Sequence, residues 1–254
     1  MNRHPFSYLE VLSFVLFISL GYWIGKGIAD FRTAPIELKV AAPTPSPIPS
    51  LPDGERILLL VGVDQINSQK PELVSLWLLT YYLNNQPIQL LPIYPSGDGR
   101  AQQFEDDLRN AFSILPGDDA AYLSPAFLQL LKDHNYWLSG YLILDTEATA
   151  QIIDMFGGLS NDHKLRSGKE IMQALPDSEE QPQSALYQQI NLFEQACLIL
   201  SQLPRQPDWS QILRLLPDHI ITDLQPYQLL AEIQMLASNP TLVHCEFPIR
   251  PTTP

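Results

Sequence analysis

The first strong pattern along the chain is an apolar run from Tyr8 to Gly25, YLEVLSFVLFISLGYWIG, eighteen residues in which Glu10 is the one charge. At about 1.5 Å of rise per residue that helix is roughly 27 Å long, close to the ~30 Å hydrocarbon thickness of a bilayer. Tyr8 at one end and Tyr22 with Trp23 at the other suit the two interfaces, where an apolar ring with a polar tip is favoured. The pattern predicts a single transmembrane anchor. A cleaved signal peptide competes with it, because Gly27-Ile28-Ala29 before Asp30 is compatible with cleavage, although Lys26 interrupts that approach. A buried soluble helix is the third reading. Flanking basic residues are balanced, so the orientation rests on the short tail 1–7, which is easily retained inside. Anchor or signal, the rest of the chain is expected on the far side of the cytoplasmic membrane.

Residues 26–53 form the next region, and 41–53, AAPTPSPIPSLPD, hold five prolines at near-alternate positions. Proline fixes φ and lacks an amide donor, so this stretch favours polyproline II and joins neither sheet nor helix. At ~3.1 Å per residue it is a semi-rigid spacer of roughly 40 Å. Beyond it, 54–250 read as one α/β body with a short tail, 251–254. Arg56–Val63 is short and almost wholly apolar, which predicts a central strand buried on both faces. Ser75–Tyr82 and Pro87–Ile93 follow as a hairpin around Asn84-Asn85-Gln86, with Pro92 ending the third strand or placing it at an edge.

Helices are predicted over Phe104–Phe112 and Pro125–His134, the latter with proline in its permitted first turn. Tyr141–Leu144 is a short strand. Thr146–Phe156 is a helix capped by Thr146 and stopped by Gly157-Gly158. Ala185–Leu203 carries apolar residues at 186, 190, 193, 197 and 200, an amphipathic stripe that includes Cys197. Trp209–Leu216 and Pro226–Ala237 are further helices, and Thr241–Phe247 returns as a strand. Strands alternating with helices, without a dinucleotide Gly-rich turn, imply α/β with a mixed central sheet covered by helices on both faces.

Composition narrows the function. The formal net charge of −13 counts against a nucleic-acid partner, which needs a cationic surface to release counterions, and against adhesion to anionic headgroups. Two cysteines, Cys197 and Cys245, exclude a four-thiolate zinc site; one bridge is open to them, but two buried free thiols is the commoner outcome. The five histidines (4, 134, 163, 219, 244) show no metal-ligand spacing, and His163 beside Asp162 reads as a loop pair. A Gly-x-Ser-x-Gly elbow, a His-Glu-x-x-His helix and a phosphate loop are all missing; Ser167-Gly168-Lys169-Glu170 lacks the upstream glycine such a loop needs.

Taken in order, ILLLVGVD, LLPIYP, DLRNAFS, YWLSGYLILDTEATAQIIDMFGGLS, SGKEIM, ALYQQINLFEQACLIL and ITDLQPYQLLAEI resemble the LytR–CpsA–Psr (LCP) domain, over about residues 56–237. The stretch 141–159 is the most specific part, matching strand, Asp145, helix and double glycine together. The resemblance implies a membrane-anchored enzyme that moves a glycopolymer from a polyprenyl pyrophosphate to a cell-wall acceptor with a divalent metal. Such chemistry needs arginines or a metal ion positioned on the diphosphate.

The resemblance places Asp64 and Asp145 on two family aspartates, but not the arginines. The family's Arg-Ser-Asp falls on Glu72-Leu73-Val74, its Ile-Pro-Arg-Asp on Ile93-Tyr94-Pro95-Ser96, a further arginine near Pro176, and a pair heading the long helix on Leu186 and Gln189. Arg100, Arg109 and Arg166 are the candidates to substitute, each otherwise a solvated surface charge. The acidic runs Glu105-Asp106-Asp107 and Asp177–Glu180 read as solvated faces and would repel a diphosphate. Asp64 is the candidate metal ligand, with Mg2+ expected only in an active enzyme.

Three functions follow. The first is a catalytically degenerate LCP-like domain of the cell envelope that binds or scaffolds, its partner a polyprenyl-linked or cell-wall glycan or an envelope protein. The second is an active phosphotransferase with a rearranged site, which requires the displaced arginines to converge on Asp64. The third is an unrelated anchored ligand-binding module.

Overall fold

A computed structural model of the chain describes residues 55–82, 87–117, 121–161, 164–202, 210–225 and 245–248, with 227 and 231 singly. All of them belong to one compact unit, Ser50–Pro254. The predicted anchor 8–25, the spacer 26–53, the Asn84-Asn85-Gln86 turn and most of the predicted helix 226–237 lie outside the described residues. Among those described, no helix is long and apolar enough to cross a membrane.

The strands are β1 (Glu55–Val63), β2 (Leu73–Tyr82) and β3 (Ile88–Tyr94), then the short pair β4 (Ile114–Leu115) and β5 (Tyr122–Leu123). After them come β6 (Gly140–Asp145), the hairpin β7 (Leu159–Asn161) and β8 (Lys164–Arg166), β9 (Ile220–Thr222) and β10 (Cys245–Glu246). Six of these form one sheet in the order β10-β3-β2-β1-β6-β9. Strand β1 pairs antiparallel with β2 and parallel with β6, so the sheet is mixed, as the pattern predicted. Pro92 lies inside β3 opposite Trp77 of β2, and among the described residues β10 pairs with β3 at Ile88 and Gln89.

Helices are α1 (Gln102–Ala111), α2 (Pro125–Asp133), α3 (Thr146–Met155), α4 (Gly168–Ala174), α5 (Pro182–Gln202) and the single turn α6 (Ser210–Leu213), shorter than the predicted 209–216. Side chains alternate across a strand, and the core divides accordingly. Leu59, Val61, Leu76, Leu78 and Ile143 pack with Leu108 of α1 and Phe127 and Leu131 of α2. Their neighbours Leu58, Trp77, Tyr81 and Leu90 pack against Leu186 and Ile190 of α5. Leu142 and Leu144 meet Ala148 and Ile152 of α3 and Ile212 of α6. Because Leu60 pairs with Leu142 in register, the last two groups share one face. Helices thus cover both faces of the sheet.

Two local readings are corrected. The cap of α3 is Asp145, not Thr146: the Asp145 carboxylate accepts the Ala148 amide, while the Thr146 hydroxyl donates to the Val63 carbonyl. Gly157 and Gly158 end α3 as predicted, with φ of +85° and +88° that side-chain-bearing residues rarely adopt. Cys197 and Cys245 are not free thiols but form a disulfide joining α5 to β10 across 48 residues. Cys197 was legible as a core position and Cys245 as a strand position; their meeting depends on the sheet order that sets β10 beside β3.

Candidate functional site

Parallel neighbours β1 and β6 end at the same edge of the sheet, where Val63 stands opposite Asp145. Asp64 follows immediately. Its amide donates to the Glu72 carbonyl (3.2 Å) and its carboxylate accepts the Glu72 amide (2.7 Å), which closes the loop between β1 and β2. The Thr146 amide donates to the Asp64 carbonyl at 3.4 Å. Asp145 is buried at 4 % exposure and both its oxygens are taken: one by the Ala148 amide (2.8 Å), the other by His219 Nδ1 (2.8 Å). The Asp145 amide in turn donates to the His219 carbonyl. The hydrogen bond to Asp145 raises the His219 pKa above its ordinary 6.5, with desolvation opposing. Among the described residues no three His, Cys, Asp or Glu side chains gather as a metal-ligand set. With Asp145 fully bonded and no third such side chain gathered beside Asp64 among the described residues, the donor set here does not fit the divalent ion that the resemblance implied.

Strand β3 runs parallel to β1, so it ends at the same edge, and beside its end lies a cavity of about 1190 Å³. Tyr94, Glu105, Asp106, Arg109, Glu179 and Tyr187 are among its walls. Gly97, at φ +68°, turns the chain away from β3 there, and a Cβ on it would meet the Leu186 side chain at 2.9 Å. Ser96 and Glu105 lock the turn: the Ser96 amide (2.7 Å) and hydroxyl (2.6 Å) both donate to the Glu105 carboxylate. Arg109 is ion-paired to Asp106 one helical turn before it and to Glu179 ahead of α5. These partners raise its pKa further, the Glu179 hydrogen bond most, against desolvation. Its Nε is buried without a partner among the described residues. Tyr94 is 2 % exposed. Burial, opposed by Arg109 and aided by Glu105 and Glu179, pushes its phenol up to about 12.

No family model matches the chain, and no curated protein does. Solved structures do. The protein gbs0355 of Streptococcus agalactiae superposes with a TM-score of 0.54 at 10 % identity, over 76 % of this chain and 76 % of that one. A LytR-Csp2A-Psr enzyme from Actinomyces oris superposes with a TM-score of 0.51 at 12 % identity, over 78 % of this chain and 82 % of that one. The chain has the LytR–CpsA–Psr fold. Identities this low carry the fold and nothing further.

Within this LCP fold the three candidate arginines have three different settings. Arg109 lines the cavity. Arg100, on the 3-10 turn Gly99–Ala101 leading into α1, has 92 % of its side chain exposed and pairs with Asp98. Arg166 stands on β8 opposite Leu159, past the C-terminal end of α3, a helix of roughly 15 Å whose other end is Asp145. Asp64 is not among the residues that line the cavity. The positions onto which the resemblance put the family's arginines have local work instead. The Glu72 backbone closes the Asp64 loop, Leu186 is in the core at 1 % exposure, and buried Gln189 accepts the Trp77 indole N–H at 2.8 Å.

One expectation fails here: Arg109 is not a solvated surface charge but is partly buried and ion-paired. In the acidic runs Asp107, Asp177, Glu179 and Glu180 are exposed, as expected, while Glu105 and Asp106 are half-buried. Glu105, Asp106 and Glu179 wall the cavity, and Ser178 anchors the second run by donating to the Val74 carbonyl at 2.7 Å. His219 was passed over because its partner is 74 residues away. No spacing rule reaches that far; only the pairing of β6 with β9 does.

Proposed function

We propose that this chain is a membrane-anchored LCP-like domain on the outer side of the cell envelope, that it no longer transfers phosphate-linked glycopolymers, and that it acts by binding or scaffolding. One observation carries the reading. Arg109 is the one arginine among the described residues of the cavity wall, and it is already held by Asp106 and Glu179. A diphosphate needs convergent, available cations, and each charge-stabilising donor is worth ~10²–10³ in rate. Here carboxylates stand where an anion would have to sit.

The Cys197–Cys245 bridge supports placement outside the cytosol, since disulfides persist in oxidising compartments. The apolar run 8–25 supports the anchor. Partners of matching setting are a polyprenyl-linked or cell-wall glycan, or another envelope protein. The active-enzyme alternative draws on Arg109 Nε, which is buried in the cavity wall without a partner. It needs at least one more cation beside it. The full chain in detergent micelles, given a polyprenyl pyrophosphate-linked glycan and Mg2+, is expected to release no product above the protein-free blank. Turnover abolished by Asp64→Ala overturns the proposal.

A further inference from the structure

We propose that the Cys197–Cys245 bridge is a redox-sensitive clasp. Oxidised, it holds β10 on the sheet; reduced, it releases β10 and makes β3 the edge strand. This device is independent of what the cavity at the end of β3 binds.

Backbone pairing holds β10 weakly. Among the described residues Cys245 pairs with Ile88 and Glu246 with Gln89, and Pro248 then follows without an amide to extend the ladder. Even a complete hairpin of two strands is marginal in water, so a ladder this short does not persist on its own hydrogen bonds. Two side-chain attachments supplement it. Phe247, buried, sets its ring edge-on to Trp77 at 6.3 Å between centroids. The bridge ties Cys245 to Cys197 of α5. That helix is fixed without β10: Leu186 and Ile190 pack on the sheet, and Gln189 accepts the Trp77 indole N–H. The bridge therefore fastens a weak strand to a firm helix.

The two ends of the sheet are β10 and β9, and the loop closed by the bridge carries α6 and β9 as well. Opening a cross-link across 48 residues returns chain entropy, and the weakest attachment in the loop gives way first. That attachment is β10, because β9 has three pairs with β6, buried Ile220 and Ile221, and the Asp145–His219 bond beside it. Release of β10 uncovers the outward backbone groups of Ile88 and Gln89 on β3. The sulfurs are within reach of a reductant, since Cys197 and Cys245 are only partly buried and the neighbouring Leu198 is 56 % exposed. The reductant is an external dithiol. One of its thiolates attacks one sulfur of the bridge, the S–S bond breaks, and the other sulfur leaves as a thiolate. Its second thiol then resolves the mixed disulfide. An electron pair and its protons end on Cys197 and Cys245, and the reductant departs as a disulfide.

Amide hydrogen exchange of the full chain in detergent micelles, with and without dithiothreitol, tests this, with alkylation by iodoacetamide reporting the open bridge. Both cysteines are expected to become alkylated while the chain stays folded. Protection at Ile88, Gln89 and Cys245–Phe247 is expected to fall about tenfold or more, with β1 and β9 unchanged. Oxidised glutathione in place of the dithiol should restore it. The double substitution Cys197→Ser and Cys245→Ser is expected to show the reduced pattern with or without reductant. Three results overturn the proposal. A bridge that stays closed to dithiothreitol in the folded chain is not a switch. An open bridge with β10 still protected means that pairing and Phe247 suffice. Loss of protection across β1 as well makes the bridge a staple of the whole fold.

Discussion

One edge of the sheet carries two polar clusters that are finished in opposite ways. Where β1 and β6 end, Asp145 is buried with both oxygens bonded, His219 is held at side chain and backbone, and Asp64 is tied to Glu72 in both directions. Each of these carboxylates has at least one internal donor. Where β3 ends, the carboxylates outnumber the cations, and Arg109 Nε lacks a partner among the described residues. The comparison separates strand-end carboxylates that close on backbone amides and a histidine from carboxylates that wall a cavity. An aspartate at a strand end is the conventional place to look for chemistry in an open α/β sheet. Here that place is closed on itself, and the unfinished bonding lies a few strands away.

If the first cluster is structural, the largest effect belongs to it. Asp145→Ala removes a helix cap and strands the His219 ring, and is expected to cost about 3 kcal/mol, read as a lower urea midpoint. Arg109→Ala, at the other cluster, is expected to cost only ~1 kcal/mol or less, because the Asp106 and Glu179 side chains are 41 % and 70 % exposed and water screens the pairs. Equal costs for the two substitutions would erase the distinction. Glu179→Gln, losing one exposed partner of a guanidinium that keeps another, should shift the midpoint by ~0.5 kcal/mol at most.

The smallest effect is the pH dependence of the closed cluster. The Asp145 bond raises the His219 pKa above 6.5, so the stability it contributes is fully present below 6.5 and fades as pH rises through the higher folded value. The difference in urea midpoint between the natural chain and His219→Gln should therefore be widest in mild acid and narrow toward alkaline pH. Its size is limited, since 35 % of the His219 side chain is exposed. A gap that widens with pH would mean that Asp145 does not hold a charged imidazole.

What could be read from the sequence was local, and what could not was long-range. Apolar runs gave β1 and β2 within two residues at each end. Pro125 and the Gly157-Gly158 pair marked helix boundaries because their backbone preferences act at one position. The α3 cap was misplaced by one residue because Asp145 and Thr146 are both capping types, and only geometry shows which side chain reaches Ala148. The disulfide, the Asp145–His219 bond and the Arg109–Glu179 pair join residues 48, 74 and 70 positions apart. Each depends on sheet order or on where α5 docks, which no window of residues contains. That Glu105, Asp106 and Glu179 wall one cavity is hidden from sequence for the same reason: charge patterning describes one helix face, not the hollow that two segments make between them.

The central claim is that the cavity at the end of β3 rejects diphosphates. Calorimetric titration of inorganic pyrophosphate with Mg2+ into the full chain tests it most directly. Heat no different from buffer dilution up to millimolar ligand is the predicted result. A saturable isotherm at micromolar ligand, lost in Arg109→Ala, would contradict the account and return Arg109 to phosphate binding.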